Sequence, residues 1–373
     1  MIYLDSAATT LQKPPQVARS MAWAVGHLAS PGRGGHPAAR AAADRLFACR
    51  ELASQLFQVE APERVILTTS ATHGLNIAIS TLVKPGDTVL ISGYEHNAVT
   101  RRLHAIPKVT IRVASAPLFQ PEKTLSAFEA AMTPEVSCVI CNHSSNVFGA
   151  IQPVEQIASL CRKHRIPFIL DASQSAGILP ISMKELQAAY IAMPGHKGLY
   201  GPQGTGLLLC GEGLPEPLLH GGTGSASLIQ EMPDFLPDRL EAGTHNIPGA
   251  AGLLEGLRFV KQKGSEAILH HERTLLSLAE RGVKKIPGAE CFTAKEPGAQ
   301  SGVLSFRIAG VDCEVLGEEL GKRGVAVRSG LHCSPLAHQT AGTLDTGTVR
   351  ISFSAFNHAQ EVRQFLRILR SCV

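Results

Sequence analysis

The stretch KHRIPFILDASQSAGILPISMKELQAAYIAMPGHKGLYGPQGTG, residues 163–206, carries the strongest pattern in the chain. An apolar run over residues 166–170 ends at Asp171, and a second run over residues 188–193 leads to Lys197. The pattern predicts two buried strands whose carboxyl ends bring an acid and a lysine to one edge of a sheet. Ligands bind at that edge in open α/β sheets.

Each member of this pair also has an ordinary explanation. An aspartate after a strand usually caps the next helix, and Asp171 before Ala172 suits that role. A lysine after a strand is usually a solvated loop residue. The functional hypothesis for Asp171 and Lys197 therefore depends on how many other features fit with it.

The composition is that of a globular enzyme, with 44% hydrophobic and 18% charged residues among 373. A net charge of +4 without a Lys/Arg run gives no reason to expect a nucleic-acid partner. No apolar run has membrane-spanning length, so we expect no membrane association. The first residues lack the features of a signal peptide, which favours a cytoplasmic location.

The nine cysteines are an odd number and are scattered, so we expect reduced thiols. Cys138 and Cys141 form a C-x-x-C, but they lie inside an apolar run and no second pair exists. We interpret that run as a buried strand rather than a redox or metal motif. The fifteen histidines show no metal-ligand spacing, and we predict no metal.

Strand and helix patterns alternate from residue 65 to 210, which predicts an α/β fold with a mostly parallel sheet between helices. From about residue 287 the pattern changes to short strands and helices, typical of a small α+β unit. We expect an N-terminal arm over 1–14, a large domain over 15–262 and a small C-terminal domain over 263–373.

Two loops carry signals for an anion. Ser70, Ala71 and Thr72 follow a predicted strand and open a helix, where free N–H groups and the helix dipole favour a phosphate. Serine and threonine are also ordinary N-caps, so this signal is weak alone. Arg33, in the Gly/Pro-rich loop over 30–37, is either a flexible surface residue or an anion contact near a cleft.

Seven motifs, in order along nearly the whole chain, resemble those of cysteine desulfurases in the class V aminotransferase family of pyridoxal 5'-phosphate (PLP) enzymes. They are Tyr3-Leu4-Asp5-Ser6-Ala7-Ala8, Glu95-His96, His143 to Asn146 with Gly149, Asp171-Ala172-Ser173-Gln174, Gly195-His196-Lys197, Glu241-Ala242-Gly243-Thr244 and Arg328-Ser329-Gly330-Leu331-His332-Cys333. The last motif resembles the group II branch, which includes selenocysteine lyases. The resemblance implies PLP fold-type I, with a seven-stranded sheet and the arm packed on the small domain.

The resemblance also implies roles at the cofactor. Lys197 would hold PLP covalently and move protons at the substrate carbons. Asp171 would pair with the pyridine nitrogen, and Gln174 would bond the ring's phenolic oxygen. His96 would stack on the ring and help transfer a proton.

Further residues would hold the phosphate. The resemblance assigns this role to the side chain of Thr72, the N–H groups of Ala71 and Thr72, and His196. Thr244 would reach the phosphate of a neighbouring subunit, which implies a homodimer.

By the same resemblance, Arg350 grips the carboxylate of L-cysteine in a bidentate fit that lysine would not reproduce. Asn146 would assist, and Arg33 and Arg328 would line the same mouth. Cys333 would attack the substrate's sulfur, leaving alanine and a persulfide that passes to a sulfur-acceptor protein. A nearby cation, Arg328, would favour the thiolate. Taken alone, Cys333 is a loop cysteine of no consequence.

Two departures from the family pattern leave alternatives open. Met193-Pro194-Gly195 stands where the family often has a phosphate-contacting serine, and the loop over 334–338 differs from well-known members. The chain could act on L-selenocysteine, or be another PLP-dependent lyase on the same scaffold. A non-enzymatic scaffold or sulfur carrier is the third hypothesis. The four intact residues Lys197, Asp171, His96 and Arg350 argue against it.

Overall fold

The computed structural model describes residues 1–32 and 34–373 and has the predicted α/β architecture. Its strands are β1 (Ile2–Tyr3), β2 (Val65–Thr68), β3 (Thr88–Ser92), β4 (Thr110–Ala114), β5 (Val136–Asn142), β6 (Phe168–Asp171), β7 (Tyr190–Pro194), β8 (Gly206–Cys210), β9 (Ala289–Phe292), β10 (Val303–Ile308), β11 (Val325–Ala326), β12 (Arg328–Gly330) and β13 (Thr348–Ser352). Its α-helices are α1 (Pro15–His27), α2 (Pro37–Phe57), α3 (Ala71–Leu82), α4 (Asn97–His104), α5 (Pro121–Ala131), α6 (Val154–His164), α7 (Met183–Leu186), α8 (Ile247–Lys263), α9 (Ser265–Val283), α10 (Cys313–Lys322), α11 (Pro335–Ala341) and α12 (Ala359–Arg370).

The central sheet has the strand order β2-β8-β7-β6-β5-β3-β4, seven strands within the described ranges. Strand β8 runs antiparallel to both of its neighbours, and every other pairing is parallel. Strands β6 and β7 are buried along their whole length because helices cover both faces of the sheet. The predicted mostly parallel, seven-stranded sheet is therefore confirmed, as is the burial of Cys138 and Cys141 in β5.

Apolar side chains pack on both faces of this sheet. Helices α2, α5, α6 and α8 cover one face, with Phe57 and Phe128 in its core. Helices α3 and α4 cover the other, with Leu75 and Leu103 in its core. Two packed layers fix the sheet, so its strand ends form a rigid platform.

The C-terminal part contains an antiparallel sheet with the order β12-β13-β10-β9. Its core includes Phe306, Phe365 and Leu4, the last contributed by the N-terminal arm. Strand β1 of the arm pairs in parallel with β11. The expected small α+β unit is present, whereas the domain boundaries at 14 and 262 stay a prediction.

A buried ion pair fixes the loop that follows β8. Arg50 Nη1 donates to Glu241 Oε1 at 2.7 Å, and the Leu67 N–H donates to the same oxygen at 2.6 Å. His245 Nε2 lies 2.8 Å from Glu241 Oε2. These contacts tie residues 241–245 to α2 and β2. Among the described helices, none is long and apolar enough to cross a membrane.

Glu272 is a buried carboxyl group at the junction of the two sheets. It lies on α9 and is 5% exposed. Burial raises the pKa of Glu272 to about 8. Its carboxyl group borders a cavity of about 30 Å³ that Lys197 and Gln174 also line.

We predict that Glu272→Gln stabilises the protein at pH 8 but not at pH 5. In the folded state, Glu272 keeps its proton to a pH well above its ordinary pKa of 4.5. The contribution of Glu272 to the free energy of unfolding is therefore complete below pH 4.5 and is lost as the pH rises toward 8. The gain in free energy of unfolding should be larger at pH 8 by roughly 2–4 kcal/mol. Urea denaturation at both pH values measures it.

The matched control is Glu266→Gln, because Glu266 is an exposed glutamate on the same helix. Its free energy of unfolding should differ between the two pH values by less than about 0.5 kcal/mol relative to wild type. An equal effect of Glu272→Gln at pH 5 and pH 8 would contradict the prediction.

Candidate active site

The predicted residues converge at the carboxyl ends of β5, β6 and β7. Backbone register places Asn142 opposite Asp171, and Asp171 opposite Ala192. Strand β7 ends at Pro194, three residues before Lys197. A cavity of about 100 Å³ opens here, and its walls include eight predicted site residues, namely Ala71, Thr72, His96, Asn146, Asp171, Gln174, His196 and Lys197.

Asp171 and Lys197 face this cavity from adjacent strand ends. Asp171 Oδ1 accepts from the Ser173 N–H at 2.8 Å, so the ordinary turn-capping role is also present. Burial lowers the pKa of Lys197 to about 8, against the opposing effect of the Asp171 carboxylate. A substantial fraction of neutral Lys197 amine is therefore available slightly above neutral pH.

His96 has a defined tautomer. Its Nδ1 accepts from the Ala98 N–H at 3.0 Å, which leaves the ring proton on Nε2. Burial lowers the pKa of His96, although the Asp171 carboxylate acts in the opposite direction. The cavity therefore has a neutral imidazole on one wall.

A second part of the cavity wall suits an anion. Helix α3 begins at Ala71, so the N–H groups of Ala71 and Thr72 have no acceptor within the helix. Ser70 caps the helix by accepting from the His73 N–H at 3.2 Å. Free N–H groups at a helix start bind phosphate and carboxylate groups well.

His196 adds a further polar atom to this wall. Its Nδ1 is buried and without a hydrogen-bond partner in the part of the chain that the structure describes. Burial lowers the pKa of His196 to about 4, and the Lys197 and Lys13 charges act in the same direction. Pro194 also lines the cavity and has no N–H to donate.

The N-terminal arm holds the lysine loop from behind. The Thr10 N–H donates to the His196 carbonyl at 3.1 Å, and Lys13 Nζ donates to the same oxygen at 2.9 Å. Gln174 Nε2 donates to the Ala7 carbonyl at 2.9 Å. No role was predicted for these arm residues, because the sequence of an extended arm does not indicate which segments it contacts.

Cys333 is exposed and lies on a tightly curved loop rather than in the cavity wall. Gly330, His332 and Cys333 have φ values of 93°, 53° and 56°. Left-handed backbone is costly at non-glycine residues, so other contacts must hold this loop.

Asn146 is the main contact that holds it. Its Nδ2 donates to the His332 carbonyl at 2.8 Å, and its Oδ1 accepts from Ser334 Oγ at 2.7 Å. The Cys333 carbonyl accepts from the Asn97 N–H at 2.9 Å, directly after His96. Asn146 also lines the cavity, so one side chain connects the cavity wall to the cysteine loop.

A directed chain of hydrogen bonds lies behind the loop. His332 Nε2 lies 3.3 Å from the Arg328 carbonyl, which can only accept, so the His332 proton is on Nε2. His332 Nδ1 must then accept from His338 Nε2 at 3.3 Å, and His338 Nδ1 from Thr343 Oγ1 at 2.8 Å. The two ring planes are 9° apart.

Both rings in this chain are neutral. Burial lowers the pKa of His338 to about 4 and that of His332 well below its ordinary value, and the Arg350 charge lowers that of His332 further. Thr343, whose hydroxyl begins the chain, is 1% exposed. Of the residues in this chain of hydrogen bonds, only His332 belongs to a motif identified in the sequence. The Thr343 contact could not be predicted because it depends on how α11 folds back.

We predict that Thr343→Val lowers the free energy of unfolding by roughly 1–3 kcal/mol, because it leaves buried His338 Nδ1 without a donor. Thr346→Val is the matched control, since Thr346 is exposed and water can replace its contacts; its effect should stay below about 0.5 kcal/mol. Urea denaturation of both variants gives the values. Equal values for the two would mean that the directed chain does not stabilise the loop.

Two predicted substrate-binding arginines meet beside the loop. Arg350 is 2% exposed; its Nη1 donates to the Asn146 carbonyl at 2.9 Å and its Nη2 to Asp5 Oδ1 at 2.7 Å. Arg328 Nη2 donates to Asp5 Oδ2 at 2.9 Å. Sequence reasoning quoted Asp5 in a motif but missed this contact.

The remaining predicted residues lie elsewhere. Arg33 lies outside the described residues. Thr244 is exposed and borders a separate cavity with Leu219 and Gly243, so this chain does not bring it to its own site. A larger groove of about 1040 Å³ lies at the opposite sheet edge, where Arg162 already donates to the Leu186 carbonyl at 2.9 Å.

Comparison with known proteins places the chain in a family. The model of the class-V aminotransferase family matches residues 2–365. Proteins named probable cysteine desulfurase from Mycolicibacterium paratuberculosis and Mycobacterium leprae are each 32% identical over 99% of this chain. The chain spans 55% and 62% of the lengths of these two relatives.

A solved structure is also similar. The apo cysteine desulfurase from Thermococcus onnurineus NA1 aligns with a TM-score of 0.89 at 28% identity, covering 99% of this chain and 94% of that one. The chain therefore belongs to the class-V aminotransferase family, and its fold is the fold-type I of PLP enzymes.

Proposed function

We propose that the protein is a PLP-dependent cysteine desulfurase, converting L-cysteine to L-alanine with a persulfide on Cys333. One observation carries the proposal: Asn146 forms part of the cavity that Asp171 and Lys197 face, and its side chain bonds the backbone of the loop that bears Cys333. The cavity that holds a lysine with a lowered pKa and the loop that bears an exposed thiol are thus connected through one side chain. The relatives named cysteine desulfurase support the same activity.

The residues of the cavity fit PLP. A phosphate suits the free N–H groups of Ala71 and Thr72 at the start of α3. It also suits His196 Nδ1, which has no hydrogen-bond partner within the described chain. Asp171 is an acid that can pair with a protonated ring nitrogen. Bound there, PLP would supply an electron sink for carbanion chemistry at the substrate.

The protein's own residues would do the rest. Lys197 would hold the cofactor and, as a free amine, take and return the proton at the substrate's Cα. His96, neutral with its proton on Nε2, also lines the cavity and can donate that proton. Arg350 donates from Nη1 to the carbonyl of the cavity residue Asn146, and its buried Nε has no partner among the described residues; it would bind the substrate carboxylate.

Sulfur transfer then conserves atoms and electrons. The Cys333 thiolate attacks the substrate sulfur, an S–S bond forms, and the substrate Cβ–S bond breaks with its electron pair left on the carbon fragment. Protonation of that fragment gives alanine, and Cys333 is left as a persulfide. A thiol reductant or an acceptor protein can remove the added sulfur.

The experiment measures alanine and sulfide released from L-cysteine in the presence of a thiol reductant, with L-selenocysteine run in parallel. We expect Cys333→Ser to lower the rate with L-cysteine by at least about a hundredfold, since a hydroxyl cannot carry the sulfur. Cys372→Ser, at a half-buried thiol on the C-terminal tail, is the control and should keep the wild-type rate.

Three results would overturn parts of this proposal. Full cysteine activity in Cys333→Ser would favour a PLP-dependent β-lyase without a persulfide. Turnover of L-selenocysteine alone would make the protein a selenocysteine lyase. Absence of alanine from either substrate, with no bound cofactor, would favour a non-enzymatic scaffold.

We further propose that the protein is a homodimer in which Thr244 faces the site of the other subunit. Thr244 is exposed, and the nearby segment over 211–237 exposes Leu228 by 98% and Ile229 by 58%. Several exposed apolar side chains in one segment, rather than a single one, are typical of an interface. Sedimentation analysis should give the mass of two chains, and Leu228→Asp with Ile229→Asp should give one; a wild-type monomer would contradict the proposal.

A cytoplasmic location fits the cysteines. The chain has nine cysteines, an odd number scattered along the sequence, a pattern typical of a reducing compartment. A persulfide-forming Cys333 needs such a compartment to complete its cycle.

A further inference from the structure

The carboxylate of Asp5 joins the two arginines beside the cysteine loop. Asp5 Oδ1 accepts from Arg350 Nη2 at 2.7 Å. Asp5 Oδ2 accepts from Arg328 Nη2 at 2.9 Å and from Arg328 Nε at 3.1 Å. Each carboxylate oxygen therefore accepts hydrogen bonds from one guanidinium group. Asp5 itself is 7% exposed and is held by a bridge between the arm and Ser352 on β13.

The antiparallel pairing of β12 and β13 makes such a counterion necessary. Arg328 lies directly opposite Arg350 in the register of these strands. Like charges directly opposite each other are unfavourable, and one of the two is buried. The hydrogen bond to Asp5 raises the pKa of Arg328, and burial lowers that of Arg350 while Asp5 opposes this. The three residues together carry a net charge of +1.

One buried nitrogen atom of these two arginines has no hydrogen-bond partner among the described residues. That atom is Arg350 Nε. The same guanidinium donates from Nη1 to the carbonyl of Asn146, a residue of the cavity wall. A buried cationic donor without a partner, beside a cavity, is suited to an anionic ligand.

Other charges face the cavity but do not change this count. Lys197 and the neutral rings of His96 and His332 are close enough for the arginines to lower their pKa values. Asp171 also lines the cavity, together with Lys197 of opposite charge. Asp5 is the acid that bonds both arginines.

We propose that Asp5 determines substrate specificity by cancelling one of the two arginine charges, so that the site takes amino acids with one carboxylate and an uncharged side chain. The inference rests on the proposed function, because it assumes an amino-acid substrate. With Asp5 neutral, the net charge of +2 would favour amino acids with a second carboxylate.

The test measures binding of L-alanine and L-aspartate to the holoenzyme by calorimetry, for wild type and Asp5→Asn. The ratio of the two dissociation constants should shift toward L-aspartate by at least about tenfold in the variant. An unchanged ratio, or equal weakening of both ligands, would reduce Asp5 to a structural residue and overturn the proposal.

A second variant keeps the proposal testable if Asp5→Asn does not fold. Arg328→Gln keeps Asp5 and should shift the ratio away from L-aspartate, because the net charge falls to zero. The double variant Asp5→Asn with Arg328→Gln restores +1 and should return the ratio to within about threefold of wild type. If both ligands bind the double variant more weakly and the ratio of dissociation constants does not return toward the wild-type value, net charge does not determine the ratio.

Failure of this inference can be told apart from failure of the proposed function. If wild type produces alanine from L-cysteine but the binding ratio does not move, only the role of Asp5 is wrong. If wild type produces no alanine but the ratio shifts as expected, the charge assignment holds and the desulfurase activity is wrong. The calorimetric ratio does not depend on turnover.

Discussion

The register of three parallel strands is the constraint on which the site depends. It sets Asn142, Asp171 and Ala192 side by side, and the chain beyond Ala192 then delivers Lys197 to the same edge. Helices on both faces make a shift of one residue prohibitive, since it would turn the buried face of a strand outward. The acid and the lysine are therefore held in place by the core of the large sheet, without any contribution from a ligand.

The N-terminal arm is the second constraint, and it connects the two sheets. It pairs with β11, contributes Leu4 to the smaller core, and bonds the carbonyl of His196 next to Lys197. Through Asp5 it also cancels one of the two arginine charges. One short segment thus couples the lysine loop to the substrate end of the site, and the Asn146 side chain completes the connection to Cys333.

Sequence patterns could predict the central sheet and the Asp171–Lys197 pair because both follow from local runs of buried residues. They could not give the contacts that cross between distant segments. Asp5 and Arg350 are 345 residues apart, and their pairing requires the arm to be docked on β13. The chain from Thr343 to His332 depends in the same way on the path of α11. Asn146 was predicted to assist the substrate, whereas its side chain already bonds the cysteine loop.

The most direct test of the account asks where the sulfur goes. The holoenzyme would be incubated with L-cysteine without a reductant, digested, and its nine cysteine residues examined by mass spectrometry. A persulfide mechanism predicts one added sulfur atom on Cys333, no addition at the buried cysteines of β5, and alanine in an amount equal to the modified Cys333. Alanine formed without sulfur on Cys333, or sulfur spread over several cysteines, would contradict the account.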